Sequence, residues 1–244
     1  MKYKKLSIIV PIYNEEKTLE EIIQQLVSLP LGVEKEVILV NDASQDRTIE
    51  ILQQYQEKEG FIVLHNPQNL GKSQTVKKGI LQSTGDLVVI QDADLEYNPE
   101  NWHEFIKLFQ NDNFDVIYGN RFGKDNKVIY WQNWFGNRFL SIVSSFFTYM
   151  RCGIITTDME VCYKMAKGEV FRDIAQTIVS KSNFGFEPEV TAKFSKYRID
   201  GKRLRFKQIP IDYIPRSVAE GKHMKAFSDG MKALWEIFKF HLWA

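Results

Sequence analysis

Cysteine is nearly absent. Cys152 and Cys162 are the only two, too few for a disulfide scaffold or a four-cysteine zinc site, and a reduced, cytoplasmic setting is the expectation. The four histidines, at 65, 103, 223 and 241, form no HxxxH pair, so a zinc hydrolase is not expected. No apolar run reaches membrane-spanning length. The longest candidate, 139–150, is interrupted by Ser141, Ser144, Ser145 and Thr148 and sits between Arg138 and Arg151. Lys2, Lys4 and Lys5 imitate the start of a signal peptide, but the apolar stretch 6–10 stops at Pro11 and is too short for one. Excess positive charge is missing as well. The 32 basic residues face 31 acidic ones, a formal +1, which leaves no broad field to recruit nucleic acid. Neither glycine fingerprint for nucleotides is present. No G-x-G-x-x-G follows the first strand, and Asn66 stands where a phosphate loop ending in Gly71-Lys72-Ser73 would need glycine.

Apolar mass is ample: 44% of the 244 residues are hydrophobic, with 17 Phe, 10 Tyr and 5 Trp, enough for one large α/β domain. Apolar runs at 6–12, 36–40, 61–64, 87–90 and 116–118 read as strands. Helical patterns fill the gaps: 17–28, 47–59 behind Asp46, 73–82, and 99–109 opened by Pro99. This alternation predicts a mostly parallel sheet with helices on both faces. Further on, 133–149, 170–180 and 187–196 read as helices, and 206–213 as a strand that joins the sheet. Residues 227–242 form an aromatic-rich amphipathic helix. The aromatics of 139–149 are expected in the core. One domain over 1–244 is the expectation, with 1–122 and 123–244 as its halves.

In such a sheet, ligands sit beyond the carboxyl ends of the strands. The polar motifs fall there: Tyr13-Asn14-Glu15, Asn41-Asp42, 91–96, and Gly119-Asn120-Arg121. In Gln91-Asp92-Ala93-Asp94-Leu95-Glu96, carboxylates recur at alternate positions behind four buried-type residues. A bare Asp-x-Asp is a common solvated turn. At a central strand end, the same spacing suits oxygen coordination of magnesium or manganese, which in turn bridges two phosphates. Asp42 is placed to accept from a base N–H or a ribose hydroxyl, while Asp46 fits the start of the next helix. Gly71 and Lys72 open a helix that either faces a nucleotide or is a plain N-terminus.

Taken in order, Pro11-Ile-Tyr-Asn-Glu15, Asn41 to Asp46, Asn69-Leu-Gly71, Asp92-Ala-Asp94 and Gly119-Asn-Arg121 resemble the inverting GT-A glycosyltransferases of family 2. Later segments carry the likeness toward the dolichol-phosphate mannose synthase and polyprenyl-phosphate glycosyltransferase group: 157–164, 184–189, 209–216 and 220–222. The resemblance spans about residues 5 to 240.

The resemblance implies a GT-A fold and a metal-dependent transfer of a hexose, mannose or glucose, from a GDP- or UDP-sugar to a polyprenyl or dolichyl phosphate. Pro11, Tyr13, Glu15, Gly71 and Lys72 would line the nucleotide-sugar pocket, with Asp42 near the base and Asp92 and Ala93 at the diphosphate. Asp92, Asp94 and Glu96 would hold Mg2+ or Mn2+. Asp94, Arg216 and Lys222 would stabilise charge on the leaving diphosphate. Arg121, Arg138 and Asp158 would serve the acceptor. Glu96 stands where relatives have Gln, Asn41 where many have a first Asp, and Ala219-Glu220-Gly221-Lys222 replaces the usual G-E-S-K. The bland readings are surface charge for Arg216 and Lys222, a structural cap for Asp158 and a helix start for Glu187 and Glu189.

An ionised phosphate acceptor needs no general base. A sugar or protein hydroxyl acceptor would, with Asp158 or Glu187 as candidates. A sensor that binds nucleotide sugar without turnover is the third reading, disfavoured by the intact carboxylates. In the last helix, Phe227, Met231, Leu234, Trp235, Phe238 and Leu242 share a face that either packs on the core or a partner, or rests on a membrane surface.

Overall fold

Continuous apolar runs are what a parallel strand buried on both faces requires, and five of them build the first part of the sheet. A computed structural model describes residues 2–182, 184–216 and 226–243. β1 (Lys5–Ile12), α1 (Leu19–Ser28), β2 (Glu34–Asn41), α2 (Thr48–Gln53), β3 (Phe61–His65), α3 (Lys72–Gln82), β4 (Leu87–Ile90), α4 (Trp102–Asn111) and β5 (Val116–Asn120) alternate as the patterning predicts. α2 is shorter than expected. Beyond Gln53 the amides of Gln54 and Tyr55 reach back only three residues, and the chain turns so that Tyr55 packs on Phe61. Pro99–Asn101 forms a 3-10 turn ahead of α4, with Asn98 Oδ1 accepting from the Glu100 amide.

The seven-stranded sheet runs β3-β2-β1-β4-β6-β5-β9. β6 (Lys164–Lys167) is the element that the patterning misses. It lies antiparallel between β4 and β5, while β9 (Phe206–Pro210) pairs parallel with β5. Its sequence, Lys-Met-Ala-Lys, has no β-branched residue and opens on a lysine that is fully buried. That lysine survives burial because Lys164 Nζ donates to the Met159 and Val161 carbonyls and sits 4.8 Å from the Tyr118 ring centroid. A two-stranded ribbon, β7 (Arg198–Ile199) with β8 (Lys202–Arg203), is also absent from the sequence reading.

The order reverses at β1 and β4, which opens a crevice at their carboxyl ends. α3 presses close there because Gly79 has no Cβ; one would collide with Ile9 Cγ2. Behind the crevice, Glu36 ties three segments together. It is 6% exposed, and Ser7 Oγ, Thr84 Oγ1, the Thr84 amide and Lys5 Nζ all bond its carboxylate. Burial alone would raise its pKa. The hydrogen bonds from Ser7 and Thr84, with Lys5, outweigh that and hold it at about 2. A depressed carboxylate stabilises the fold above its unfolded pKa and loses that contribution as pH falls through the folded one. Glu36→Gln should therefore cost about 3 kcal/mol at neutral pH and little at pH near 2. Denaturant melts of both proteins at the two pH values measure this, and an equal penalty at both would contradict it.

The second half adds α5 (Trp131–Cys152), α6 (Gly168–Thr177), α7 (Phe186–Lys196) and α8 (Ala226–Phe238), the last followed by a π-helical turn, Lys239–Trp243. α5 corrects an expectation. Its buried face consists of Leu140, Ser141, Ser144, Thr148 and Cys152, while Phe139, Phe146 and Tyr149 are exposed. Three small polar residues face inward because they bond the loop beneath: Ser141 Oγ accepts from the Met159 amide, Thr148 Oγ1 donates to the Ile154 carbonyl, and Ser145 Oγ to that of Thr156. α8 packs on α5 through Ala233 and Ile237, which join Leu140 and Met159 in a second apolar cluster. The predicted face of α8 is thus divided: Leu234 contributes to this packing, whereas Met231, Trp235 and Leu242 are exposed. Phe227 lies where side chains are outside the described structure.

Candidate active site

Loops leaving β1, β2, β4, β5 and β9 meet at one edge of the sheet, and the segment entering β6 arrives there because β6 runs the other way. Three of these loops hold a non-glycine residue at positive φ: Asn14 at 54°, Ala43 at 59° and Leu95 at 62°. Each costs of order 1–3 kcal/mol and persists only where the surroundings impose it. Here they do. The Asn14 amide donates to Ser44 Oγ, the Gln45 amide to Asn14 Oδ1, and the Glu96 amide to Asp94 Oδ1.

Two cavities join at Lys72, Asp92 and Asp94. The smaller, about 320 Å³, is lined by Pro11, Tyr13, Glu15, Asp42 and Ala93 in addition to those three. The larger, about 590 Å³, is bounded by Glu96, Arg121, Glu160, Glu187, Tyr213, Arg216 and the aromatic start of α5, Trp131 and Trp134. Most of the residues singled out from sequence therefore converge. Gly71 lines neither cavity. Its φ of 80° lets its amide, with that of Leu70, donate to the Asp42 carboxylate, which also accepts from Asn66 Nδ2. Asp42 thus clamps the loop before α3 as well as facing the smaller cavity.

Charge at the junction is crowded. Burial, then the neighbouring Asp92 and Glu96 charges, push the Asp94 carboxyl up to about 7, with Arg216 opposing. Arg216 reaches across from the segment after β9. Its Nη2 is 3.1 Å from Asp94 Oδ2, and its guanidinium also pairs with Glu15 at 3.3 Å. Lys72 Nζ bridges Asp92 at 3.0 Å and Glu187 at 3.1 Å, and those carboxylates hold it charged. Glu96, on the same loop as Asp92 and Asp94, is engaged by the segment after β9. Tyr213 Oη donates to one of its oxygens at 2.6 Å and the Arg216 amide to the other at 2.8 Å, so it fastens that segment over the junction. Among the described residues no three His, Cys, Asp or Glu side chains converge as a metal-ligand group. The donor set still fits a hard divalent cation held by two carboxylates. Asp94 is a partly buried acid short of positive charge, and the rest of an oxygen shell would come from a diphosphate and water.

The acceptor-side residues divide. Arg121 lines the larger cavity, but Asp158 holds it from behind: Nε and Nη2 donate to the two Asp158 oxygens at 2.9 and 2.7 Å, and the Arg121 amide adds a third bond. Asp158 has no exposed surface and lines neither cavity, so it positions Arg121 and is not itself in the cleft. Arg138 is outside the lining. Its guanidinium stacks on Phe122 and Trp134, at 5.1 and 5.9 Å from the ring centroids. Lys222 lies outside the described residues.

Sequence reasoning missed Glu160. It faces the larger cavity, and its Oε1 is buried without a hydrogen-bond partner. Burial, then the Glu187 charge, raise its pKa to about 8 against the pull of Lys164 and Arg121. A carboxyl in that state at neutral pH carries its proton and can donate to a ligand oxygen. The signal available was Asp158-Met-Glu160 at the mouth of a strand that was itself unrecognised.

The sequence model of the family described as Glycosyl transferase family 2 matches residues 7–175. A dolichol-phosphate mannosyltransferase from Pyrococcus furiosus is 35% identical over 130 residues, 53% of this chain and 36% of that protein. An undecaprenyl-phosphate 4-deoxy-4-formamido-L-arabinose transferase from Pseudomonas aeruginosa is 33% identical over 133 residues, 53% of this chain and 38% of its own. The matched part of the chain thus spans little more than a third of the length of these curated relatives. Among solved structures, glucosyl-3-phosphoglycerate synthase from Mycobacterium tuberculosis, in complex with Mn2+, UDP and phosphoglyceric acid, superposes with a TM-score of 0.68 at 16% identity. That alignment covers 98% of this chain and 79% of the synthase, and at such identity it speaks for the α/β GT-A fold.

Proposed function

The chain belongs to glycosyl transferase family 2, and from that premise we propose that it transfers a hexose, with inversion, from a nucleoside diphosphate sugar to a polyprenyl or dolichyl phosphate. The observation that carries this reading is the larger cavity. An arginine with one edge locked by Asp158 faces into it, and the indoles of Trp131 and Trp134 form its wall. A phosphate with an apolar tail fits that pairing of charge and grease. The UDP or GDP moiety occupies the smaller cavity, and the diphosphate sits at the junction. The two curated relatives named above carry lipid-phosphate names, which agrees with this acceptor class.

Mg2+ or Mn2+, held by Asp92 and Asp94, would neutralise charge on the departing diphosphate. The chain supplies the rest. Arg216 exchanges Glu15 and Asp94 for diphosphate oxygens, where charge grows in the transition state. Arg216→Ala accordingly reduces kcat more than it raises KM. Lys222 is proposed as its companion. Lys72 keeps Asp92 and Glu187 in place, and Glu160 donates to a sugar hydroxyl between the junction and Arg121. Residues 1–122 supply most of the donor pocket and 123–244 most of the acceptor side within one domain, with Arg121 and Arg216 crossing that division.

Glu160 also supports a second reading, in which the acceptor is a sugar or protein hydroxyl. Asp158 is buried against Arg121 and Glu187 is paired with Lys72, which leaves Glu160 as the base; because it carries its proton at neutral pH, that reading requires transfer to rise as pH passes about 8. The test is transfer of radiolabelled hexose from UDP- and GDP-sugars with Mn2+ to a short polyprenyl phosphate, in competition with alkyl glycosides. Glu160→Gln keeps a hydrogen-bond donor, so transfer to phosphate should stay within about fivefold of wild type. If Glu160 is a base, transfer falls by about 100-fold or more. Labelling of the glycoside alone would replace the lipid-phosphate reading.

A further inference from the structure

The exposed stripe on α5 has the composition of a core and the position of a surface. Trp131, Phe135, Phe139, Ile142, Phe146, Tyr149 and Met150 are each more than half exposed. At about 100° per residue they fall within one sector about 100° wide, and at 1.5 Å per residue they run for about 28 Å. The helix buries its small residues and displays its large ones, the reverse of a helix whose partners are all within its own fold. A contiguous patch of that kind marks an interaction surface.

Charge identifies the occupant. The chain carries 31 acidic residues in all, yet residues 126–157 contain no Asp or Glu, while Lys127, Arg138 and Arg151 fall within them. The stripe is therefore apolar, aromatic and free of negative charge. A second copy of this chain is a poor fit. A two-fold interface would set this patch against itself, with like charges facing and no carboxylate to answer them. An anionic lipid surface answers both features: acyl chains accept Phe, Ile and Met, headgroups accept Trp and Tyr, and phosphates meet the arginines and lysine. The stripe is also continuous with the site. Trp131, its first member, lines the larger cavity, and Arg138, beside the stripe, stacks on Trp134 in the cavity wall.

We propose that the exposed face of α5 rests on an anionic bilayer surface, with its Trp131 end at the mouth of the larger cavity. The lipid-phosphate acceptor of the proposed function then enters the cavity headgroup first while its tail stays in the bilayer. The surface assignment can be tested without that acceptor. Vesicles of phosphatidylcholine, with and without phosphatidylglycerol and containing no polyprenyl phosphate, are sedimented with wild type and with the triple variant Phe139→Ser, Ile142→Ser, Phe146→Ser. None of these side chains lines the site, and a thermal melt with nucleotide titration checks that the variant is folded. A second variant, Arg138→Glu, reverses a charge beside the stripe without altering the apolar side chains of the stripe. Wild type should bind the phosphatidylglycerol vesicles, with about tenfold or greater loss in the triple variant and a smaller loss in Arg138→Glu that disappears at high salt. Equal sedimentation of wild type and the triple variant overturns the proposal. So does failure of wild type to bind either vesicle, and a wild-type dimer that the triple variant abolishes would then give the face to a second copy. Vesicle binding without transfer to polyprenyl phosphate leaves the surface standing and removes the acceptor reading alone.

Discussion

Asp94→Asn is expected to lower transfer by about a thousandfold, the equivalent of about 4 kcal/mol of transition-state stabilisation, while the metal-free protein unfolds at or above the wild-type temperature. The two halves of that result share one cause. Asp94 is partly buried beside Asp92 and Glu96, and Arg216, its compensating charge, is shared with Glu15. Its carboxyl at about 7 records a group the fold carries at a cost. Asparagine keeps the shape and the acceptor for the Glu96 amide but removes the repulsion, so stability should not fall. What it cannot do is hold a divalent cation with a full charge. Calorimetric titration of UDP and GDP should therefore lose its Mn2+ dependence in the variant, and excess EDTA should reduce wild type to a similar rate. A variant that retains transfer within tenfold of wild type, or a wild type indifferent to EDTA, would remove the cation from the mechanism.

The junction where that variant acts was readable from sequence because parallel strands buried on both faces leave uninterrupted apolar runs. Residues 6–12, 36–40 and 87–90 fall inside β1, β2 and β4 or match them end to end. Polar residues immediately after such runs must emerge at the sheet edge, so Asp42, Asp92, Asp94 and Arg121 could be placed without coordinates. The acceptor side was less legible because β6 violates the same rule. Lys164 is buried in it and satisfied by carbonyls of the loop just before the strand, a compensation no pattern of hydrophobicity records. Missing β6 meant missing that Asp158 and Glu160, two residues apart in its lead-in, have different fates: one sealed behind Arg121, the other open to the cavity. Of the aromatics in 139–149, Phe147 packs inward, whereas Phe139, Phe146 and Tyr149 face outward for a related reason. Helical periodicity reveals that a stripe exists, but not which side of the helix the fold covers. Ser141 and Thr148 won the inside because the loop 154–159 offers them hydrogen-bond partners.

Glu96 shows the limit from the other direction. Its spacing from Asp92 and Asp94 suggests a third ligand, but spacing does not reveal that Tyr213 and the Arg216 amide come from more than a hundred residues away to occupy it. The segment that they fasten brings the Arg216 guanidinium to Asp94. Local sequence thus placed the carboxylates, and long-range contacts set the partners of each.

The same separation of roles governs Arg121, where the second large effect is expected. Its partner Asp158 is fully buried and paired with it at 2.7 Å, so Arg121→Ala leaves that carboxylate without its counter-charge in the interior. The expected loss of stability is about 3–5 kcal/mol. Loss of transfer in that variant would by itself be ambiguous, because a damaged fold also transfers poorly. The double variant Arg121→Ala with Asp158→Asn resolves this. Removing both charges should restore most of the stability, since the penalty belongs to the unpaired carboxylate and not to the missing pair. Acceptor affinity should not return, because the guanidinium edge that Asp158 leaves to the cavity is gone in both. We expect the apparent KM for a short polyprenyl phosphate to rise about 30-fold in the double variant, about 2 kcal/mol, the strength of a charge-assisted hydrogen bond to phosphate. UDP or GDP binding should stay near wild type, since Arg121 lines only the larger cavity. Asp158→Asn alone keeps the arginine but loosens its aim, and should raise KM by less. A double variant that refolds to wild-type stability and also keeps wild-type acceptor kinetics would make the Arg121–Asp158 pair a structural element only, and the acceptor phosphate would then have to be met by another cation of the cavity.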